Sequence, residues 1–308
     1  MSSDDDDDLL FSDRPEWADV TPVPQDDGPN PLVPIAYAPN YADAMSYFRA
    51  VLATTDRSKR VLDLTEFIVR LNPGHYSVWK YRQDTVFALS ADLTSELDFI
   101  EEMAEDQPKS YQIWHYRQAM VAHLSDASRE IPFINRMLAI DSKNYHAWSY
   151  RQWVVYTFAL WDKEFSDIDR LLEVDVRNNS AWNQRFWVFK NRPEGFEGGE
   201  LEKEVEYVVK RILLAPRNES PWAYLRGIVA LAGKTLADIP AIADLCASLR
   251  DTASNTSSTD VSPHALAMQL DIAVAKQNTA ECKTICSLLI QQDPIRAKYW
   301  HYRLTLVA

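Results

Sequence analysis

The sequence predicts an all-α protein, an α/α superhelix wound as a right-handed solenoid of about seven helical hairpins. Three observations carry this. Tryptophans at 79, 114, 148, 182, 222 and 300 are spaced 35, 34, 34, 40 and 78 residues apart, and a period near 34 is the signature of a helical-hairpin array. Each tryptophan sits in a recurring stretch, as in Gln107-Pro108-Lys109-Ser110-Tyr111-Gln112-Ile113-Trp114-His115-Tyr116-Arg117. The chain has only 7 glycines against 10 tryptophans and 14 tyrosines, which suits helices packed along long seams rather than a turn-rich β fold. The gap of 78 is about two repeats, so a degenerate copy is expected near Ser262-Pro263.

The elements follow in order. Residues 1–30 hold ten acids and one base, Arg14, with Pro15, Pro22, Pro24 and Pro29 among them. Such a stretch cannot bury enough apolar surface to fold alone, so 1–33 is expected to be a mostly disordered acidic tail, with Trp17 available as a local anchor. Residues 34–308 form the repeat domain. Prolines 31, 34 and 39 keep the entry extended. Helices are then expected at 43–53, 58–71 (Ser58 as N-cap), 76–89, 93–105, 110–123, 128–140, 144–160, 163–174, 178–189, 200–214, 219–231, 262–276, 279–291 and 296–306. They are placed by apolar periodicity and by breakers such as Asn72-Pro73-Gly74. The Gly-rich stretch 191–199 and the polar stretch 250–260 read as loops.

In the repeats at 76–82, 111–117 and 145–151 Tyr, Trp and Arg fall at i, i+3 and i+6, near one helical stripe. Trp needs a partner for its N–H when buried, and Arg can lay its stem on apolar surface. Those positions read as packing. The positions that vary carry more information. After the tyrosine come Ser77, Gln112 and His146; before the helix come Gly74, Lys109, Lys143, Arg177, Arg217 and Ile295. A scaffold repeats its residues, whereas a binding surface changes them.

The charge of −13 argues against nucleic acid as a partner, since affinity there comes from neutralising phosphates. No apolar run approaches the roughly 18 residues of a membrane span and the first residues are acidic, so the expected location is the cytoplasm. Cys246, Cys282 and Cys286 form no even disulfide set and no paired ligand motif, and read as core. Signatures such as HExxH, GxSxG or a phosphate-cradling glycine loop are absent.

The motifs PKSYQIWHYR, SKNYHAWSYRQW and DVRNNSAWNQR resemble the α subunit shared by protein farnesyltransferase and type I protein geranylgeranyltransferase, over about residues 34–308. The resemblance implies a subunit that works only with a β partner, in an obligate heterodimer. Together they would transfer farnesyl, or with a second β subunit geranylgeranyl, from the isoprenoid diphosphate to the cysteine of C-terminal CaaX motifs. It implies that Lys109 lies against the diphosphate and acts in catalysis, and that Gln112 binds the substrate's terminal carboxylate. Tyr111, Tyr145 and His146 would line the cleft. Asn144 would contact substrate or only cap its helix, and the tyrosines alternatively belong to the packing stripe. Zinc is expected on the β subunit and magnesium in the holoenzyme, with no metal held by this chain alone. Ser110 stands where the family more often has Asn, and Tyr116 and Tyr150 where it has His; these are expected to shape the geometry behind the contacting residues. Two alternatives stay open: the α subunit of a Rab-type geranylgeranyltransferase, and a non-catalytic tetratricopeptide-like scaffold.

Overall fold

The computed structural model describes residues 10–255 and 262–307. Among them every regular element is helical: α1 (Pro39–Thr54), α2 (Lys59–Leu71), α3 (Tyr76–Ala88), α4 (Leu93–Asp106), α5 (Tyr111–Leu124), α6 (Glu130–Ile140), α7 (Tyr145–Thr157), α8 (Glu164–Val174), α9 (Asn179–Asn191), α10 (Glu200–Leu214), α11 (Glu219–Leu231), α12 (Pro240–Asn255), α13 (Pro263–Ala275), α14 (Thr279–Gln292) and α15 (Ala297–Leu306), with four short 3₁₀ turns. The pairs α2–α3 through α14–α15 are the expected seven hairpins, preceded by α1. None of these helices is long and apolar enough to cross a membrane. The chain divides into two compact units within α7, at Val154 and Val155.

In the first unit, α2 is a one-sided helix. Val61, Leu64, Thr65 and Ile68 are buried at the i, i+3, i+4, i+7 spacing of a core-facing stripe. The second helix of each hairpin is covered on more sides. In α3, Val78, Trp79, Tyr81, Arg82, Thr85 and Val86 are all buried, because it packs on both α2 and α5. In the second unit, α9, α11 and α13 pack successively in the same way.

In five of the six repeat tryptophans the indole N–H finds one kind of partner, the carbonyl six residues earlier, whereas Trp300 donates to the Asp293 carboxylate at 3.0 Å. Trp79 donates to Pro73, Trp114 to Pro108, Trp148 to Ser142, Trp182 to Val176 and Trp222 to Pro216, all at 2.9–3.0 Å. The indole thereby closes the turn that opens its own helix.

The repeat arginines Arg82, Arg117 and Arg185 are buried, and buried carboxylates neutralise them. Arg82 forks onto Glu96 (2.6 and 3.0 Å), Arg117 onto Glu130 (2.8 and 2.9 Å) and Arg185 onto Glu204 (2.5 and 2.7 Å). Each carboxylate lies in the first helix of the next hairpin, so the pair links neighbouring repeats. A phenol twenty residues further on completes it: Tyr116 donates to Glu96, Tyr150 to Glu130 and Tyr224 to Glu204, each at 2.7 Å. Gln184 donates to Glu164 at the same offset, 2.9 Å away. Burial beside the carboxylate pushes the Tyr116, Tyr150 and Tyr224 phenols well above their ordinary range. Tyr116 and Tyr150 are therefore parts of the inter-repeat clasp.

Several expectations are corrected. Helix α1 starts four residues early, at Pro39, whose fixed φ suits the first helical position. Ser58 does occupy the N-cap position of α2, but its hydroxyl is buried without a partner and makes no capping bond. Helix α7 ends at Thr157, short of the expected 160. Helix α12 fills a segment to which apolar periodicity assigned none and runs into the polar stretch 250–260, of which 256–260 lie outside the described residues. Ser262 then opens α13 with buried Leu266 in place of a tryptophan, which is the degenerate copy.

The stretch 1–33 is not uniform. Residues 1–9 lie outside the described residues. Phe11 and Trp17 are each 1 % exposed, packed edge-on to one another (5.7 Å) and against Phe67 and Tyr47. Asp43 accepts the Phe11 amide (2.7 Å), Arg60 donates to Asp19 and to the Glu16 carbonyl, and Arg49 donates to the Val23 carbonyl (2.7 Å). Two aromatic anchors and three charged side chains of α1 and α2 hold what the charge pattern groups with the tail.

Candidate functional site

The site is built on two successive turns of the first unit, 107–110 before α5 and 141–144 before α7. Both close the same way, with Ser110 N–H donating to Gln107 and Asn144 N–H to Asp141. Each turn ends with a tyrosine at the first helical position. That position projects beyond the packed seam, and a step of three residues turns a helix by about 300°, leaving Tyr about 60° from Trp and about 120° from Arg. Tyr111 is 68 % and Tyr145 69 % exposed, while Trp114 and Trp148 are buried. The single-stripe reading of Tyr, Trp and Arg thus holds for Trp and Arg only; the tyrosines are left to the surface.

Three rings come together there. Tyr111 meets His146 edge-on, centroids 4.3 Å apart with planes at 89°, and Tyr145 flanks the same imidazole at 5.5 Å. Partial burial lowers the His146 pKa, so at neutral pH the ring is uncharged, with one donor and one acceptor nitrogen. Lys109 lies just ahead of α5 with its side chain 78 % exposed; its Nζ is 3.9 Å from Asp141 Oδ2 of the next turn. Gln112, half-buried one residue past Tyr111, takes the Ser110 hydroxyl on Oε1 at 3.3 Å. That leaves the amide nitrogen of Gln112 as the donor for an incoming acceptor.

Asn144 differs from the others. It is 3 % exposed, and its side chain makes three protein bonds. Oδ1 accepts from the His146 and Ala147 amides (2.8 and 3.2 Å), while Nδ2 donates to the Pro108 carbonyl (3.0 Å). It caps α7 and grips the turn that carries Lys109. All six sequence-derived candidates therefore lie in these two turns or at the first two positions of the helices they open, five of them facing outward or half-buried and Asn144 beneath.

What the sequence reading missed is the set of buried acids, Glu96, Glu130, Glu164 and Glu204. The signal was present, an acid twenty residues before each of Tyr116, Tyr150, Gln184 and Tyr224, but it joins residues of different helices. Among the described residues no group of three or more His, Cys, Asp or Glu could hold a metal ion. The three cysteines are buried, with Cys246 pushed up to about 12 by desolvation. These residues do not fit a zinc site within this chain.

Comparison with known proteins agrees hairpin by hairpin. The family described as "Protein prenyltransferase alpha subunit repeat" matches residues 58–89, 93–124, 127–158, 161–192 and 201–232, the spans of α2–α3 through α10–α11. The chain is 45 % identical to the protein farnesyltransferase/geranylgeranyltransferase type-1 subunit alpha of Solanum lycopersicum, over 97 % of this chain and 91 % of the relative. It is 39 % identical to the protein of the same name from Dictyostelium discoideum, over 100 % and 98 %. A solved structure of Candida albicans protein geranylgeranyltransferase-I complexed with GGPP superposes with a TM-score of 0.86 at 30 % identity, covering 95 % of this chain and 98 % of that one.

Proposed function

The chain belongs to the protein prenyltransferase α-subunit family, and from that premise we propose that it serves as the α subunit of a heterodimeric enzyme with a β partner. The enzyme transfers farnesyl, or geranylgeranyl when paired with a second β subunit, to the cysteine of C-terminal CaaX sequences. The observation that carries this reading is the repeat match over five consecutive hairpins, together with relatives named as the type-1 α subunit across nearly their whole length. Those names favour it over a Rab-type α subunit or a non-catalytic scaffold.

In this reading the two turns work on the leaving group and the peptide end. The substrate thiolate attacks carbon 1 of the isoprenoid, the carbon–oxygen bond breaks, and the diphosphate departs with the electron pair. Lys109, an exposed cation at the tip of its turn, stabilises the charge that grows on the diphosphate oxygen. That interaction is stronger in the transition state than in the ground state, so it raises the rate of the chemical step. Tyr111, Tyr145 and neutral His146 supply a wall of ring edges and hydrogen-bond donors beside it. Gln112 donates to the terminal carboxylate of the peptide. Zinc and magnesium belong, in this proposal, to the partner chain and the bound diphosphate, and no step is routed through a metal in this chain.

Co-expression with candidate β subunits of zinc-binding α/α-barrel type, followed by assay with both isoprenoid diphosphates and a CaaX peptide, tests the reading. Transfer by the pair and none by either chain alone is expected. A stable monodisperse monomer that yields no transfer with any β subunit overturns it.

A further inference from the structure

The Pro108 carbonyl is the residue boundary from which Lys109 departs, and it is held from two sides. Trp114 Nε1 donates to it at 2.9 Å from its own helix, and Asn144 Nδ2 at 3.0 Å from the next hairpin. Proline at 108 already fixes φ there, so with the carbonyl pinned the backbone leading into Lys109 has little freedom left. Asn144 also closes the turn that begins at Asp141, whose carboxylate stands 3.9 Å from the Lys109 ammonium. One buried amide thus ties the cation's turn to its carboxylate neighbour's turn, and through Oδ1 to the backbone amide of His146.

The same bracket recurs with graded strength. Asn218 Nδ2 reaches the Val176 carbonyl at 2.9 Å and the Ser262 hydroxyl reaches Pro216 at 2.7 Å, ahead of Arg177 and Arg217. The counterpart one repeat before Asn144, Ser110 Oγ to Pro73, is stretched to 3.4 Å and precedes Gly74, which has no side chain to aim. Firm brackets thus stand before basic residues and the loose one before glycine.

We propose that Asn144 is a positioning residue for Lys109, acting through the Pro108 carbonyl rather than by touching substrate. The inference rests on the proposed role of Lys109 at the diphosphate. Without the bracket the lysine stem is still charged and still attracts the diphosphate, but it no longer starts from a fixed point. The rate of the chemical step is therefore affected more than donor binding, as for any misplaced group that stabilises a transition state.

The test is a double-mutant cycle in the assembled heterodimer, using farnesyl diphosphate and a CaaX peptide under single-turnover conditions. Asn144→Gly removes the amide while keeping a residue tolerated at an N-cap. It is expected to slow transfer about tenfold with the donor Kd changed less than about twofold, and to cause no further slowing in a Lys109→Ala background. Asn144→Ser, whose hydroxyl can make the bond as Ser262 does, should recover most of the rate. Asn218→Gly, which breaks the same bracket elsewhere, should leave the rate unchanged. An equal loss in both Lys109 backgrounds, no loss at all, a serine variant as slow as the glycine one, or an equal loss from Asn218→Gly overturns the proposal. If Lys109→Ala alone is without effect, it is the reading of Lys109 that fails, and the single variant shows this independently.

Discussion

Tyr150 donates a 2.7 Å hydrogen bond to Glu130, a carboxylate with no exposed surface that also neutralises Arg117. The phenol, the carboxylate and the guanidinium come from three helices, so the clasp couples two hairpins. Removing one partner leaves the others buried and unsatisfied. Glu130→Ala should destabilise the protein by about 3–5 kcal/mol, because it strands a buried cation. Tyr150→Phe should cost only about 1–3 kcal/mol. Chemical denaturation of the assembled protein measures both, and a Glu130→Ala variant no weaker than Tyr150→Phe would show that Arg117 finds other compensation.

Lys109 is the sharpest test of the proposed chemistry. Lys109→Ala should reduce the single-turnover rate by on the order of 10²-fold, with a smaller change in donor affinity. Lys143, the matching residue one repeat on, is the internal comparison and should matter far less. Equal and mild effects of the two substitutions would make Lys109 a solvated surface lysine.

His75 predicts a pH effect. Its side chain caps α3 by accepting the Val78 amide, and burial holds its pKa below the ordinary value. The unfolded chain takes up the proton near pH 6.5, the folded chain only at lower pH. The stability this group contributes is therefore present above about pH 6.5 and is lost as pH falls through the folded pKa. Denaturation midpoints at pH 7.5 and 5.5 should show the wild type losing more on acidification than His75→Asn, which keeps a capping acceptor that does not titrate. Parallel losses in the two proteins would refute this.

Trp17 tests the docked part of the N-terminal stretch. Trp17→Ala removes a fully buried indole that touches Phe11 and Tyr47 and lies under the Arg60 guanidinium. A loss of about 3–5 kcal/mol is expected. A change below about 0.5 kcal/mol, the range of ordinary surface substitutions, would mean that residues 10–20 do not stay packed on α1 and α2 in solution.

The sequence by itself determined the helical class, the hairpin count and the two turns on which the candidate residues gather. All of these are local or periodic properties. A Trp every 34 or so residues, apolar spacing and helix-breaking Asn-Pro-Gly act within a single hairpin, and a variable Lys109 or His146 is visible against a constant Trp and Arg. The tertiary structure decided what depends on neighbours. It left Tyr111 and Tyr145 exposed although they share a motif with buried Trp114 and Trp148, because the first turn of a helix overhangs the seam. It drew Phe11 and Trp17 out of an acidic stretch and into the core, where apolar contact outweighs local charge. It also showed that Asn144, read from the sequence as a substrate contact or a helix cap, is a buried cap that brackets Pro108 as well, and found carboxylates for Arg82, Arg117 and Arg185 one hairpin away. A periodic pattern names the residues that repeat, but a hydrogen bond between repeats exists only once two hairpins are stacked, and so the partner of each buried polar group had to be read from the packing.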